Sequence, residues 1–195
     1  EETFHELMQY YIDGSGKLED ILGIVYRENG QLVDNGWREV MDLNKVPFVY
    51  EDMNDFKNKI IYYETSRGCP FSCSYCLSSV DKKVRLRDMS LVEKELQFFI
   101  DHEVPQVKFV DRTFNCNKKH AMAIWRYIKA HDNGITNFHF EIGADLLDDD
   151  ELAILSDMRP GLVQLEIGVQ STNDATIQER SEEHTSELQS RRRIS

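Results

Sequence analysis

The sequence lacks a long hydrophobic run: no stretch approaches the ~18 uninterrupted apolar residues that a membrane helix needs. It also lacks an excess of basic residues, because 23 Lys and Arg face 35 Asp and Glu and the net charge is −12. A chain with this net negative charge is not expected to bind the phosphates of a nucleic acid. The first residues, EETFHELMQYY, form no secretion signal. We therefore expect a cytoplasmic protein with no membrane partner and no nucleic-acid partner.

The sequence has only 4 cysteines, and three of them lie within eight positions of one another. Near neighbours cannot close useful disulfide loops, so this is not the framework of a secreted disulfide-rich protein. A metal or redox site in a reducing compartment is the better interpretation. With 195 residues and 41% hydrophobic content, the chain is long enough for one domain plus a short appendage.

Residues 1–58 read as a helix, a hairpin and a connector. Asn29-Gly30 between two β-type runs is a strong hairpin signal. Residues 34–58 have no sustained periodicity, and we interpret them as an extended connector that wraps on a neighbour. Its predicted anchoring point is residues 47–50, PFVY.

From Lys59 onward, short apolar runs alternate with segments of helical periodicity. The predicted strands are 60–63, 106–110, 138–142 and 162–167. Alternation of this kind predicts parallel strands covered by helices, and so an α/β sheet or a segment of a barrel. Asp148, Asp149 and Asp150 resemble a metal cluster, but acids in the first turn of a helix are stabilised by its dipole, and this is the interpretation we favour.

The most specific feature is TSRGCPFSCSYC, residues 65–76, in which Cys69, Cys73 and Cys76 have the spacing C-x3-C-x2-C. The motif follows the first strand of the alternating region. Thiolates are the ligands that iron–sulfur clusters and zinc prefer. Structural zinc takes four ligands, and distant Cys116 is predicted to be a buried free thiol. Three ligands on a four-iron cluster would leave one iron open.

At this point the sequence resembles the radical SAM superfamily, and within it the group with cobalamin-binding domains. The segments that carry the resemblance are YYETSRGCPFSCSYCLSS, VKFVDRTFN, FHFEI and QLEIGVQSTN, and it extends over residues 3–179. It implies a partial parallel (β/α) barrel of the radical SAM type, truncated to about four β-α units, with an N-terminal helix, hairpin and connector. Residues 1–58 would end an upstream cobalamin-binding-like domain, and residues 59–179 would form the incomplete barrel.

The resemblance also implies cofactors and their ligands. The motif cysteines would hold a 4Fe–4S cluster whose open iron binds S-adenosylmethionine. Tyr75 would lie beside the adenine, and Glu166 would contact the ribose. Asp111 stands where the family often has a Gly-Gly-Glu segment that contacts the methionine amino group, and this sequence departs from that pattern. Glu141 is a weaker cofactor-binding candidate, and no catalytic residue is assigned.

The implied function is that of a radical SAM enzyme fragment, which cleaves S-adenosylmethionine reductively to start radical C–H chemistry. Cobalamin-dependent methyl transfer is one form that this chemistry takes in the group, with cobalamin held by a domain upstream of these residues. The substrate is an unknown small molecule or peptide, and a flavodoxin- or ferredoxin-like electron donor is expected. The alternative is a non-catalytic zinc or iron–sulfur scaffold domain. As a fragment, the isolated chain is expected to be poorly soluble and nearly inactive.

Two further features are interpreted as non-functional. Residues 180–190, RSEEHTSELQS, read as the in-frame translation of a common sequencing adapter, so residues 180–195 are predicted to be a non-native, disordered artefact. The histidines before this tail have no ligand spacing and are predicted to lie at the surface or in the core with their hydrogen bonds satisfied. Among them, His139 merits inspection because it alternates with Phe138 and Phe140.

Overall fold

The computed structural model describes residues 1–57, 59–74, 76–80, 82–169 and 171–173. Tyr75 and the predicted artefact, residues 180–195, therefore lie outside the described residues. The chain divides into two compact units, Glu1–Asp42 and Leu43–Ser195. Among the described residues, none of the helices has the length and apolar composition of a membrane span. The predicted domain boundaries stay a prediction.

The first unit contains the α-helix α1 (Glu2–Met8), which continues into a π-helical turn (Gln9–Asp13), a 3-10 turn (Leu18–Asp20), and a hairpin of β1 (Val25–Glu28) and β2 (Gln31–Asp34). The strands pair antiparallel with Glu28 opposite Gln31. Asn29 and Gly30 between them have φ values of 49° and 83°. Two left-handed residues are what a two-residue hairpin turn of matching twist requires, so the predicted hairpin is confirmed.

The second unit is an α/β layer structure. Its elements in chain order are β3 (Ile61–Tyr63), β4 (Ser66–Arg67), β5 (Arg85–Leu86), α2 (Met89–Asp101), β6 (Gln106–Phe109), α3 (Lys118–Ala130), β7 (Asn137–Ile142), α4 (Asp149–Ser156) and β8 (Val163–Ile167). The strands of the main sheet are all parallel and ordered β3-β6-β7-β8. A helix connects each strand to the next. The α/β fold with parallel strands predicted from the alternation is confirmed.

The two faces of this sheet differ because successive side chains of a strand point to opposite sides. One face is buried and apolar, and we call it the apolar face: Ile61, Tyr63, Val107, Phe109, Phe138, Phe140 and Ile142. It packs against the buried sides of the helices, where Trp125 of α3 and Leu96 of α2 are fully covered. Aromatic rings fill the centre, with the centroids of Phe109 and Phe140 4.4 Å apart.

The connector is anchored on this core. The rings of Phe48 and Tyr50 lie 5.4 and 5.5 Å from that of Phe99, measured between centroids. Edge and tilted contacts at such distances are favourable for aromatic pairs. The predicted anchoring point at residues 47–50 is therefore confirmed.

A buried ion pair fixes the same segment. Arg87 and Glu95 form a salt bridge with side chains that are only 7% exposed each. The Tyr63 hydroxyl donates to Glu95 over 2.6 Å, and Arg87 donates to the carbonyl oxygens of Leu43 and Val46. A buried charge pair is tolerated when hydrogen bonds satisfy its remaining polar groups, as they do here.

The acidic run before α4 acts as a helix cap. Asp148 accepts hydrogen bonds from the backbone amides of Asp150 and Glu151, and the Glu151 side chain accepts from the amide of Asp148. This reciprocal arrangement is a capping box. The interpretation of residues 148–150 as the first turn of a helix is confirmed.

Candidate cofactor site

The cysteine motif lies on a loop that starts just after β3, at the carboxyl edge of the parallel sheet. The short antiparallel pair β4–β5 closes this loop, with Ser66 opposite Leu86 and Arg67 opposite Arg85. Gly68 leads into the loop with a φ of +97°, a conformation that favours glycine. Ligand sites of parallel α/β sheets and barrels form at this edge.

The three motif cysteines differ in exposure. Cys69 is buried, whereas Cys73 and Cys76 are partly exposed. The Cys76 amide donates to the Cys73 carbonyl oxygen over 3.1 Å, which closes a tight turn between them. The Cys69 Sγ lies 3.7 Å from the Thr113 hydroxyl, so the loop contacts the segment that follows β6.

Cys116 lies close to this loop but outside the motif. Its amide donates to the Thr113 carbonyl oxygen over 3.0 Å. Burial, with a smaller contribution from neighbouring Cys69, raises the pKa of the Cys116 thiol to about 11. It is partly buried and, like the other cysteines, forms no disulfide.

A cleft of about 540 Å³ adjoins the cysteine loop. Arg67 and Gly68 line it from the loop, and Lys108 and Glu141 line it from the sheet. Arg67 is held by Glu64, to which its Nε and Nη2 donate over 2.9 and 2.6 Å. The volume is in the range of small-ligand pockets, about 300–1,000 Å³.

The face of the sheet opposite the apolar face carries charged side chains, and we call it the polar face: Tyr62, Lys108, His139, Glu141, Gln164 and Glu166. The Lys108 Nζ lies 3.0 Å from Glu166 and 3.4 Å from Glu141. The hydrogen bond from Lys108 holds the pKa of Glu166 below its ordinary value. Glu141 and Glu166, two predicted cofactor-binding residues, are thus brought together by a shared cation.

His139 lies under this group. Its Nε2 atom is 3.1 Å from a Glu166 oxygen, but the alignment does not make a hydrogen bond. The imidazole is mostly covered, with 13% of the side chain exposed. His139 therefore belongs to the polar face rather than to the core.

Asp111, the third predicted cofactor residue within the described chain, has no exposed surface. Its carboxylate accepts from the Thr65 amide at 3.2 Å and from the Thr65 hydroxyl at 2.8 Å. Burial raises the pKa of Asp111 to about 6, and hydrogen bonds from Ser66 and Thr65 oppose that rise. A cofactor contact would require this side chain to leave its partners, so the contact stays a prediction.

The cysteine loop offers three thiols, which are the ligands that both iron–sulfur clusters and zinc prefer. Within residues 1–57, 59–74, 76–80, 82–169 and 171–173, no three His, Cys, Asp or Glu side chains are grouped so that they could hold one metal ion. In a 4Fe–4S cluster each thiolate binds a different iron, so its ligands surround a larger group.

Comparison with known sequences decides the family. The sequence model described as the Radical SAM superfamily matches residues 63–189, from the end of β3 through the cysteine motif and beyond β8. The chain belongs to the radical SAM superfamily. Because the match runs past residue 180, it includes part of the predicted artefact, and that interpretation stays a prediction.

Two curated relatives carry transferase names. The chain is 33% identical over 137 residues to an uncharacterized methyltransferase of Pyrococcus horikoshii, which is 65% of this chain and 30% of that protein. It is 32% identical over 82 residues to a putative methylthiotransferase of Methanocaldococcus jannaschii, 40% of this chain and 18% of the relative. The chain thus spans less than a third of the length of either relative.

Solved structures support the fold. The chain matches the radical S-adenosylmethionine methyltransferase TsrM of Kitasatospora setae with a TM-score of 0.69 at 15% identity, over 93% of this chain and 39% of that one. That structure has cobalamin and a 4Fe–4S cluster bound, and a second TsrM structure has tryptophan and a SAM analogue bound. The predicted partial barrel of the radical SAM type is confirmed by this match.

Sequence reasoning missed two contributors to the site. Lys108, between buried Val107 and Phe109, has the same signal that pointed to Glu141: a charged residue inside an apolar strand. His120 is buried and its Nε2 lies 3.1 Å from the Thr65 hydroxyl, so the prediction of a core histidine with satisfied hydrogen bonds is confirmed, but its partner was not predicted. No spacing rule connects residues 65 and 120, so this contact had no signal in the sequence.

Proposed function

We propose that the chain binds a 4Fe–4S cluster through Cys69, Cys73 and Cys76 and binds S-adenosylmethionine in the adjoining cleft. The observation that carries the proposal is the position of the cysteine loop. It lies at the carboxyl edge of a parallel sheet, beside a cleft of about 540 Å³ that reaches the polar face. A 4Fe–4S cluster held by the three cysteines would provide an electron for the reductive cleavage of a carbon–sulfur bond of S-adenosylmethionine.

The residues around the cleft have distinct roles in this proposal. Gly68 gives the loop the left-handed backbone that it needs beside the cluster, and Arg67 places a cation near an anionic group. Glu166 is suited to accept hydrogen bonds from the ribose hydroxyls, since it is an exposed carboxylate whose ionised form is favoured by Lys108. Lys108 orients Glu141 and Glu166 toward each other and offsets their charge.

We further propose that the whole enzyme is a methyltransferase that uses cobalamin. The names of the Pyrococcus horikoshii relative and of TsrM support the transferase assignment, and the cobalamin bound in TsrM supports the cofactor. The substrate, a small molecule or peptide, and a flavodoxin- or ferredoxin-like donor remain predictions. So do the cytoplasmic location and the low activity of the isolated fragment.

Anaerobic reconstitution of the full chain with iron and sulfide tests the cluster. We expect about four irons per chain, a brown colour, and an electron paramagnetic resonance signal after reduction that changes when S-adenosylmethionine is added. Replacing Cys69, Cys73 or Cys76 by Ala should remove most of the iron.

Cys116→Ala is the matched control, because Cys116 lies near the loop but outside the motif. This variant should bind iron as the unsubstituted chain does. A colourless protein that carries stoichiometric zinc would instead establish the scaffold alternative. Unchanged iron in Cys69→Ala would also overturn the proposal.

A further inference from the structure

A buried polar group ties the cysteine loop to the sheet. Thr65 is fully buried, and its hydroxyl donates to Asp111 over 2.8 Å. The His120 Nε2 atom lies 3.1 Å from the same hydroxyl oxygen. We call these three residues the Thr65 anchor. They come from the end of β3, the end of β6 and the first turn of α3.

The hydrogen bonds of the Thr65 anchor determine where the Thr65 hydroxyl hydrogen and the His120 ring hydrogen lie. A hydroxyl has one hydrogen, and Thr65 gives it to the Asp111 carboxylate. His120 must therefore donate to the hydroxyl oxygen through Nε2–H. Burial lowers the pKa of His120, which is consistent with a neutral ring. Each polar atom at the centre of the anchor then has a partner, as buried polar groups require.

The anchor lies next to the first cysteine of the motif. Three residues separate Thr65 from Cys69, and two of them are held: Ser66 and Arg67 pair with β5. A second contact joins the same two segments, because the Cys69 Sγ lies 3.7 Å from the hydroxyl of Thr113, two residues beyond Asp111. A shift of Thr65 would therefore move Cys69.

We propose that Thr65, Asp111 and His120 act as positioning residues that hold Cys69 in place at the carboxyl edge of the sheet. This inference rests on the proposed function, since its use is to preorganise the loop for a cluster. It also gives Asp111 a role other than the predicted cofactor contact. A carboxylate with no exposed surface is suited to hold a neighbouring residue, not to meet a ligand.

The reactivity of Cys69 in the reduced, metal-free full chain tests the anchor without any cofactor. The protein is treated with N-ethylmaleimide, and the modification rate of each cysteine is measured by peptide mass spectrometry. Thr65→Val keeps the shape of the side chain and the charge of Asp111 but removes the hydroxyl. We expect Cys69 to react about tenfold faster or more in this variant, with little change at Cys73 and Cys76, because local opening becomes easier.

Three further variants serve as comparisons. Asp111→Asn should also accelerate Cys69, and Thr65→Ser, which keeps the hydroxyl, should restore a rate near that of the unsubstituted chain. Thr136→Val is the matched control: Thr136 is also buried and accepts from Asn133 over 3.0 Å, but at the opposite edge of the sheet. It should leave Cys69 unchanged. Circular dichroism identifies any variant that does not fold, and His120→Gln, which alters a single hydrogen bond, then takes its place.

The outcomes separate this inference from the proposed function. Folded Thr65→Val and Asp111→Asn proteins with an unchanged Cys69 rate would overturn the anchor. Reconstitution of the same proteins should give less iron in Thr65→Val than in Thr65→Ser. If the unsubstituted chain takes up no iron, the proposed function fails, while the thiol rates still decide the anchor. If Asp111→Asn instead keeps both the Cys69 rate and the iron but loses S-adenosylmethionine binding, Asp111 is a cofactor ligand and the inference is wrong.

Discussion

The two faces of the four-stranded sheet are built from neighbouring residues, but one face is buried and apolar and the other carries charged side chains. Phe140 is fully buried on the apolar face, whereas Glu141, the next residue, lies on the polar face and pairs with Lys108. The first face contributes stability through packing. The second contributes charge placed beside the cleft. The two-residue period of a strand thus places packing residues on one face of the sheet and charged residues on the other.

The largest loss of stability should come from truncating a buried side chain of the apolar face. Phe140→Ala removes a ring that contacts Phe109 and Phe114, and it should lower the free energy of unfolding by about 3–5 kcal/mol. Glu141→Ala, one position along, should change it by no more than about 0.5 kcal/mol. Denaturant unfolding followed by circular dichroism measures both. Equal losses in the two variants would contradict the division between the faces.

An intermediate effect should come from Asp111, which lies at the carboxyl edge where the two faces end. Burial raises its pKa to about 6, so the folded protein keeps a proton that the unfolded chain releases near pH 3.8. The stability that Asp111 contributes is therefore full at lower pH and is lost as pH rises through about 6. The difference in unfolding free energy between the unsubstituted chain and Asp111→Asn should fall, by on the order of 2 kcal/mol, from pH 4 to pH 7.5. A difference that rises over this range would show that the carboxylate is stabilised in its ionised form.

A smaller loss of stability is expected at Tyr63, which lies on the apolar face and whose hydroxyl contacts Glu95. The Tyr63 hydroxyl donates to Glu95, and Tyr63→Phe removes only that hydrogen bond. Because Arg87 still satisfies Glu95, we expect a loss of about 1–2 kcal/mol in unfolding free energy. Tyr127→Phe, which removes a more exposed hydrogen bond to Gln97, is the control and should lose less. A larger loss in the control would contradict this ranking.

The smallest effect on stability should come from the polar face itself. Lys108→Met removes the cation shared by Glu141 and Glu166, and we expect no measurable change in the unfolding midpoint, since exposed ion pairs contribute little. The pKa of Glu166 should rise, because Lys108 is the main cause of its low value. Carboxyl resonances followed by nuclear magnetic resonance against pH measure this. An unshifted Glu166 would mean that another group holds the carboxylate ionised.

The sequence predicted what depends on local pattern. The hairpin at Asn29-Gly30, the four parallel strands and the cap at Asp148 follow from turn chemistry, periodicity and the helix dipole. The cysteine motif was likewise predicted to follow the first strand of the sheet. These features require only residues that are close in the chain.

What the sequence did not predict depends on which distant residues meet. The contact between His120 and Thr65 joins positions 55 residues apart, and Lys108 meets Glu166 over a separation of 58 residues. Both contacts depend on the order of the parallel strands in the sheet, which cannot be predicted from the individual residues. The family resemblance implied a cofactor contact for Asp111. The structure shows its side chain hydrogen-bonded to Thr65, 46 residues away in the sequence, and the cofactor contact stays a prediction. The direction of a side chain at a strand end is set by the neighbouring loop.

Glu141 lies directly opposite Glu166, and this pair affects the register in which β8 pairs with β7. Two like charges side by side repel, and Lys108 offsets part of this repulsion because it reaches both. A slip of β8 by one residue would turn Glu166 toward the packed helices and expose Leu165 in its place. The charged trio therefore penalises misaligned docking of the last described strand, in addition to anything it does for a bound molecule.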